Sequence, residues 1–263
     1  MRLRYLSDLH LEFITPNKID KLIYKIKPNT DDFTTPSCGA APQNLEICIL
    51  AGDIGNPYSS NYDKFMKHID KSFKKSFVIA GNHEYYSKKS MNDINDYLYH
   101  YFKQFDNIRF LNNDFEIYEN YCFIGTTLWS KITNPNYEIN DVYNITDFDY
   151  VKYNRLNMIA KDFLEDAVKN NNNNIIITHH VPSMDLIDPK YKVPKMLPYN
   201  QWFYCDMDDF IKENNDKIKC WIYGHTHTPA YNLIHDIPFL CNPIGYPNEN
   251  HKTDFHRMIE IST

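Results

Sequence analysis

Short apolar runs recur along the chain, and each is followed within two residues by a side chain that can bind a metal ion. Runs of three to seven mainly apolar residues with Gly, Asn or Asp nearby are typical of buried strands. We therefore predict five core strands, over residues 3–6, 45–51, 76–80, 175–178 and 220–223.

Stretches that mix polar and apolar residues separate these strands and predict helices over residues 19–25, 62–72, 88–105, 156–169 and 207–214. Shorter strands are predicted over residues 108–111, 115–118, 121–125, 231–234, 238–241 and 257–261, with a hairpin between the second and third of them. Alternating strands and helices indicate an α/β chain with β-α-β crossovers. No internal repeat or linker divides the sequence, so we expect a single domain over residues 1–263.

Three longer segments do not follow these patterns. Residues 14–44 contain four prolines, and we expect part of the loop after their short helix to border the active site. Residues 130–155 are polar and rich in Tyr, which predicts an excursion on the surface. Residues 184–205 are aromatic and contain Pro, and are a candidate lid or rim. Trp129 could pack in the core or overhang a pocket, and we favour packing.

Composition narrows the possible partners. The 263 residues are 43% hydrophobic and 24% charged, as expected for a globular core, and the net charge of −6 argues against a broad basic face for nucleic acid. The six cysteines are scattered and form no C-x-x-C pair, which indicates buried free thiols in a reducing compartment. No signal peptide or membrane-length apolar run is present, so we expect a soluble, cytoplasmic protein without a membrane partner.

The candidate chemistry lies at the ends of the predicted strands, where α/β folds place their ligands. Taken singly, each residue could have a purely structural role. Asp53 could stabilise a turn, and His10 could be a surface histidine with ordinary hydrogen-bond partners. Taken together, they offer oxygen and imidazole donors without a thiolate, which suits Mn²⁺, Fe, Zn²⁺ or Ni²⁺. The candidate ligands are Asp8, His10, Asp53, Asn82, His179, His225 and His227.

The order of these motifs resembles the calcineurin-like metallophosphoesterase superfamily. The matching pattern is Asp8-x-His10, Gly52-Asp53, Gly81-Asn82-His83-Glu84, Thr178-His179 and Gly224-His225-x-His227. The resemblance implies a four-layer αββα sandwich around two mixed β-sheets. Protein Ser/Thr phosphatases of the superfamily continue after Gly-Asp with x-Val-Asp-Arg-Gly and place an Arg before Gly-Asn-His-Glu. Residues 54–56 and Ala80 depart from both features, which favours the compact phosphodiesterase-like branch.

The resemblance also implies roles for individual residues. A first divalent metal would bind Asp8, His10, Asp53 and His227, and a second would bind Asp53, Asn82, His179 and His225, with Asp53 bridging. His83 would bind no metal, and would act as a general acid or position the phosphate. Glu84 would orient an imidazole. We expect Mn²⁺ at both positions, with Fe, Zn²⁺ or Ni²⁺ as alternatives.

The implied activity is hydrolysis of a small phosphodiester or phosphomonoester through a hydroxide that bridges the two metals. Two alternatives stay open. A nuclease acting on RNA or single-stranded DNA could use the same site, although the sequence shows no basic stripe. A non-catalytic interaction module could share the fold, although none of the ligands is missing. The sequence does not indicate an oligomeric state.

Overall fold

The computed structural model describes residues 1–28, 33–34, 43–44, 46–249 and 253–261. Cys38, Leu45 and most of the loop within residues 14–44 lie outside the described residues. The strands are β1 (Arg2–Leu6), β2 (Phe33–Thr34), β3 (Gln43–Asn44), β4 (Glu46–Ala51), β5 (Lys75–Ile79), β6 (Ile108–Phe110), β7 (Asp114–Tyr118), β8 (Tyr121–Thr126), β9 (Asn174–Thr178), β10 (Ile218–Tyr223), β11 (Ala230–Ile234), β12 (Ile237–Cys241) and β13 (Met258–Glu260).

Two mixed sheets form the centre of the fold. The first has the order β13-β1-β4-β5-β6, with β13 antiparallel to β1 and the other pairs parallel. The second has the order β11-β12-β10-β9-β8-β7, with antiparallel pairs at both edges and parallel pairs between them. The predicted hairpin is the pair β7–β8, and it is confirmed. Strands β2 and β3 pair only with each other.

Helices cover the outer face of each sheet, which confirms the four-layer αββα sandwich. One apolar core lies between the sheets, a second joins the first sheet to α1–α3, and a third joins the second sheet to α5 and α6. The helices are α1 (Pro16–Lys25), α2 (Ser60–Ser72), α3 (Met91–Phe102), α4 (Asn140–Asn144), α5 (Tyr150–Asn170) and α6 (Asp208–Glu213).

Strand β4 shows why its sequence is apolar almost throughout. Ile47 and Ile49 point into the core between the sheets, whereas Cys48 and Leu50 point into the core beneath the helices. A parallel strand covered on both faces needs apolar side chains at consecutive positions. The charged Glu46 at its start is buried as well, where it receives two hydrogen bonds from Arg4 of β1, at 2.7 and 2.8 Å.

The C-terminal ends of five parallel strands meet at one edge of the sandwich. In the first sheet, the backbone N–H of Asp8 donates to Gly52 O at 3.0 Å, which joins the ends of β1 and β4. In the second sheet, Gly224 N donates to His179 O at 3.1 Å, which joins the ends of β10 and β9. The backbone N–H of His225 also donates to Asp8 Oδ1 at 3.0 Å and connects the two sheets. The loops after these strands therefore form one cluster.

Several predictions about boundaries and surfaces need correction. Helix α3 begins at Met91 rather than at residue 88, because Ser90 and Asp93 form a capping box there. Helix α5 begins at Tyr150 rather than at residue 156, where Asp149 caps it by accepting from Lys152 N at 2.8 Å. Residues 130–155 are not simply a surface excursion, because they contain α4 and the fully buried Asp141.

Predictions for Trp129 and for the cysteines are confirmed. Trp129 packs in the core, with its ring 5.5 Å from that of Tyr85 and 5.0 Å from that of Tyr153. The five cysteines within the described ranges are buried free thiols. Within those ranges, none of the helices combines the length and the apolar character that crossing a bilayer would need.

Candidate metal centre

The backbone is left-handed at five of the seven candidate ligands. Residues other than Gly seldom adopt this conformation, which costs about 1–3 kcal/mol per residue and persists only where the surrounding fold enforces it. The φ angles are 52° at Asp8, 48° at His10, 52° at Asp53, 69° at His225 and 49° at His227. Such strained positions concentrate at functional sites, and here they turn the side chains inward at the ends of β1, β4 and β10.

A first group of donors consists of Asp8, His10 and His227. Their candidate ligand atoms all lie within 4.8 Å of one another; Asp8 and His10 are buried, and the His227 side chain is 12% exposed. His10 Nε2 lies 3.0 Å from His227 Nε2, and His227 Nε2 lies 3.4 Å from Asp8 Oδ1. Two imidazole nitrogens and a carboxylate oxygen thus face a common point.

A second group consists of Asp53, His179 and His225, again within 4.8 Å. His179 Nε2 lies 3.3 Å from Asp53 Oδ2 and 3.0 Å from the side-chain oxygen of Asn82. Asp53 Oδ2 also lies 3.9 Å from His10 Nε2 of the first group. The Asp53 carboxylate therefore lies between the two groups and is within reach of both.

The charges of the centre are balanced by the imidazoles. Burial opposes ionisation of Asp53, yet His179 and His83 hold the pKa of its carboxyl well below the usual value. Burial also opposes the charged form of His179 and His227, but the pKa of His179 is raised by Asp53 to about 10 and that of His227 by Asp8 to about 9. A divalent cation among the same side chains would supply the positive charge that these protons provide. The donor set therefore fits divalent metal ions.

The two histidines that follow β9 have different environments. His179 turns into the centre, whereas His180 packs against Trp129 with ring centroids 5.4 Å apart. Burial and the neighbouring His179 lower the pKa of His180 to about 3, so His180 is a neutral core residue. Burial and His180 also lower the pKa of His225, which keeps that imidazole neutral, the form that binds a metal.

Each candidate imidazole ligand is held by a second partner through its other nitrogen. His179 Nδ1 donates to Ala51 O at 2.9 Å, and His225 Nε2 donates to Trp202 O at 3.2 Å. His227 Nδ1 donates to Glu249 Oε2 at 2.7 Å. Such partners fix the orientation of an imidazole and leave the opposite nitrogen available to a metal. His225 would therefore offer Nδ1, whereas His179 and His227 would offer Nε2.

Asn82 is oriented by Asp141, a residue that the sequence analysis did not identify. The Asn82 amide donates to Asp141 Oδ1 at 2.8 Å, and the Tyr86 hydroxyl donates to the same oxygen at 2.6 Å. The amide oxygen of Asn82 is thereby turned toward His179. Residues 139–145 place Ile139, Val142 and Ile145 three positions apart, a pattern that could have indicated a packed turn at Asp141.

Glu84 does not orient an imidazole, contrary to the expectation from the resemblance. Its carboxylate accepts hydrogen bonds from the backbone amides of Asp53 and Ile54, at 3.0 and 2.7 Å, and from those of Gly55 and Gly81, at 3.2 and 2.6 Å. Glu84 thus ties the loop after β4 to the loop after β5. Its contribution is to hold the backbone on which Asp53 and Asn82 are placed.

The glycine at the end of β5 is required by close packing. A Cβ atom at Gly81 would lie 2.6 Å from Asp53 N and 2.7 Å from His179 Nε2, and would also collide with the Asp53 carboxylate. Contacts this short do not occur between real side chains and backbone, so only glycine fits there. The Gly81 backbone therefore allows Asp53 and His179 to approach each other.

His83 lies beside the metal-ligand groups and contacts two residues that sequence reasoning missed. Its Nδ1 donates to Glu12 Oε1 at 2.9 Å, and its Nε2 lies 3.0 Å from the Tyr246 hydroxyl. Burial opposes the imidazolium, but Asp53 and Glu12 raise the pKa of His83 above its usual value. Glu12 could have been found, because it continues the alternation of Asp8 and His10 with the buried Leu9 and Leu11. Tyr246 lies in a turn-rich loop and carries no comparable signal.

A cavity of about 380 Å³ opens beside these groups. Asp53, Asn82, His83, His225 and His227 form one part of its lining, and residues 187–203 contribute much of the rest. This agrees with the expectation that residues 184–205 form a rim. The candidate ligands thus border a space of the size of a small-molecule site.

Comparison with known proteins agrees with this arrangement. Residues 1–229 match the family described as calcineurin-like phosphoesterase. A mimivirus protein, uncharacterized protein L509 of Acanthamoeba polyphaga mimivirus, is 31% identical over 285 residues, covering 98% of this chain and 96% of its own.

Solved structures show the same fold. The phosphopantetheinyl hydrolase PptH from Mycobacterium tuberculosis superposes with a TM-score of 0.68 at 14% identity, over 93% of this chain and 89% of its own. GAP50, the anchor in the inner membrane complex of Plasmodium, has a TM-score of 0.50 at 11% identity, over 93% and 71% of the two chains. With its matching family profile, its mimivirus relative and its metal-ligand groups, the chain belongs to the calcineurin-like phosphoesterase family.

Proposed function

We propose that this protein is a dinuclear metal-dependent phosphoesterase that hydrolyses a small phosphodiester or phosphomonoester. The observation that carries the proposal is the position of Asp53 between two groups of donors. Asp53 Oδ2 lies 3.9 Å from His10 Nε2 of one group and 3.3 Å from His179 Nε2 of the other. One carboxylate within reach of two sets of ligands is the arrangement that a pair of neighbouring ions requires.

The seven candidate ligands would divide between two metal positions. Asp8, His10 and His227 would hold one ion, and Asn82, His179 and His225 the other, with Asp53 shared. When bound, two divalent ions would neutralise charge on the phosphate and lower the pKa of a water molecule for attack on phosphorus. Mn²⁺ suits these oxygen and imidazole donors, as do Fe, Zn²⁺ and Ni²⁺.

His83 is the residue to which we assign proton transfer. It lines the cavity next to Asn82, and Glu12 holds its Nδ1 so that Nε2 is directed toward Tyr246. As the phosphorus–oxygen bond to the leaving alcohol breaks, His83 would donate a proton to that oxygen. General acid catalysis of this kind contributes about 10²–10⁴-fold to rate.

The test is hydrolysis of bis-p-nitrophenyl phosphate and p-nitrophenyl phosphate by the chain before and after metal removal. We expect at least one ester to be cleaved by the metal-loaded protein. Activity should be lost after chelation and verified metal removal, and should return with Mn²⁺. Full activity in protein shown by elemental analysis to be free of metal would contradict the proposal, as would a metal-loaded protein that cleaves neither ester.

A nuclease remains the second candidate, because the same chemistry would cleave a polynucleotide. Cleavage of a single-stranded oligonucleotide, compared with that of the two nitrophenyl esters, separates these functions. A kcat/KM for the oligonucleotide far above those for the small esters would favour the nuclease.

A further inference from the structure

The cavity beside the metal-ligand groups has two chemically different parts. The part nearest the candidate ligands is polar and contains Asp53, His83 and His227. The rest of the lining includes the polar Asn140 and Asn200, and six apolar or aromatic residues: Tyr86, Ile139, Ile187, Tyr191, Met196 and Phe203. A site that binds a phosphate alone would not require these six residues, which we term the apolar wall.

The apolar wall is continuous with the metal centre. The Phe203 ring lies 4.8 Å from that of the candidate ligand His225, with 31° between their planes. The Tyr86 ring is stacked on that of His83 at 4.2 Å. A group attached to a phosphate at the centre would therefore meet aromatic and apolar side chains within a few bond lengths.

The lining also lacks lysine and arginine among the described residues. Of the three lysines within residues 187–203, Lys195 is exposed and the other two have partners elsewhere. Lys190 Nζ lies 3.4 Å from Asp188 Oδ2, and Lys192 Nζ donates to Asp185 O at 3.2 Å. The lining carboxylates are Asp53 and Glu249, so within the described part of the lining a second anionic group on a substrate would find no lysine or arginine.

From this division of the cavity we propose that the substrate is a phosphate ester whose organic part is uncharged and carries an apolar ring. The inference rests on the proposed function, because the metal centre must hold the phosphate. The ring lies against the apolar wall, between residues 187–203 and Ile139. Polyphosphates and polynucleotides are disfavoured, since each carries further negative charges into a lining whose described residues include no lysine or arginine.

Burial of a phenyl ring in such a pocket predicts an affinity gain of about tenfold to a hundredfold. The test compares three phosphonates that share one metal-binding group: methylphosphonate, benzylphosphonate and 4-carboxybenzylphosphonate. Their dissociation constants are measured by calorimetry on the Mn²⁺-loaded protein. We expect benzylphosphonate to bind at least tenfold more tightly than methylphosphonate, and the carboxylate to cancel most of that gain.

Two variants within residues 187–203 test whether the apolar wall causes the affinity gain of the benzyl group. Met196 lines the cavity, whereas Val193 is 38% exposed and is not part of the lining. Met196→Glu introduces a charge into the apolar wall, and we expect it to reduce the benzyl-to-methyl affinity ratio to near one. Val193→Glu introduces the same charge three residues away, and should keep the ratio of the unchanged protein.

The possible outcomes separate the two proposals. Equal affinities for benzyl- and methylphosphonate, or a carboxybenzyl compound that binds as tightly as the benzyl one, would overturn the inference while leaving the metal centre intact. An equal loss of the ratio in both variants would also overturn it. If none of the phosphonates shows metal-dependent binding, the proposed function fails, and the inference fails with it.

Discussion

Glu12 accepts a hydrogen bond from Nδ1 of His83 at 2.9 Å, although the two residues are 71 positions apart in the sequence. The same carboxylate oxygen lies 3.2 Å from Nδ1 of His10. Glu12 therefore fixes both a candidate metal ligand and the proposed proton donor. In each imidazole, Nε2 is left to face the centre or the cavity.

Replacing Glu12 should reduce turnover without removing the metals. In Glu12→Gln, the neutral amide binds the two imidazoles less strongly, and we expect kcat/KM to fall about 10- to 100-fold. Glu165→Gln makes the same change at an exposed glutamate of α5, and its kcat/KM should equal that of the wild type. Kinetics and elemental analysis of both variants test this, and a wild-type kcat/KM for Glu12→Gln would remove Glu12 from the positioning role.

The role of His83 can be tested by measuring how the rate of hydrolysis depends on the leaving group. His83→Ala should keep both metals and fold normally, yet lose far more rate on alkyl esters than on p-nitrophenyl esters, because only a basic leaving group needs the proton. The measurement is the slope of log kcat/KM against leaving-group pKa in both proteins. If His83 only holds a phosphate oxygen or its own loop, the mutant slope will be no steeper than that of the wild type.

The strand ends of this fold could be predicted from sequence because two local signals coincide there. An apolar run that ends in Gly-Asp at residue 53 or Gly-Asn at residue 82 specifies both a buried strand and a polar group at its end. The need for glycine at position 81 is only partly visible in the sequence. The sequence shows that the chain can turn there, but not that Asp53 N and a Cβ atom would compete for the same space.

The residues that contact Asn82 and His83 could be predicted less directly. The spacing of Ile139, Val142 and Ile145 indicates a packed turn at Asp141 but not the partner of that turn, and Tyr246 lies in a turn-rich loop. Only the packing of distant elements brings Asp141 to Asn82 and Tyr246 to His83. The polar, Tyr-rich composition around Asp141 favoured the surface, whereas its carboxylate is fully buried and is bonded to an amide and a phenol.

Removal of Asp141 should weaken metal binding through Asn82. In Asp141→Ala, the Asn82 amide and the Tyr86 hydroxyl lose their shared acceptor, and we expect affinity for the second metal to fall about 10- to 100-fold. Asp141→Asn keeps an oxygen acceptor and should restore part of this affinity. Metal titration of the two variants distinguishes positioning from general destabilisation, which would lower Tm without the partial rescue.

The buried pair between Arg4 and Glu46 predicts a large effect on stability. Both side chains are completely buried, and they join β1 to β4, the two strands that lead to Asp8 and Asp53. Glu46→Ala leaves the guanidinium without its carboxylate partner, so we expect a loss of about 3–5 kcal/mol in unfolding free energy. The double variant Arg4→Met, Glu46→Leu should be less destabilised than Glu46→Ala, as measured by denaturant unfolding. A loss below about 1 kcal/mol in Glu46→Ala would contradict this.

The central claim is that Asp53 serves two metal ions at once, and the number of metals bound per chain tests it most directly. Wild-type protein and Asp53→Asn are loaded with Mn²⁺, freed of excess metal and analysed by elemental analysis. An amide lacks the charge and the bridging capacity of a carboxylate. We therefore predict two ions per chain in the wild type and at most one in Asp53→Asn. Two ions retained in Asp53→Asn, or only one in the wild type, would contradict the account.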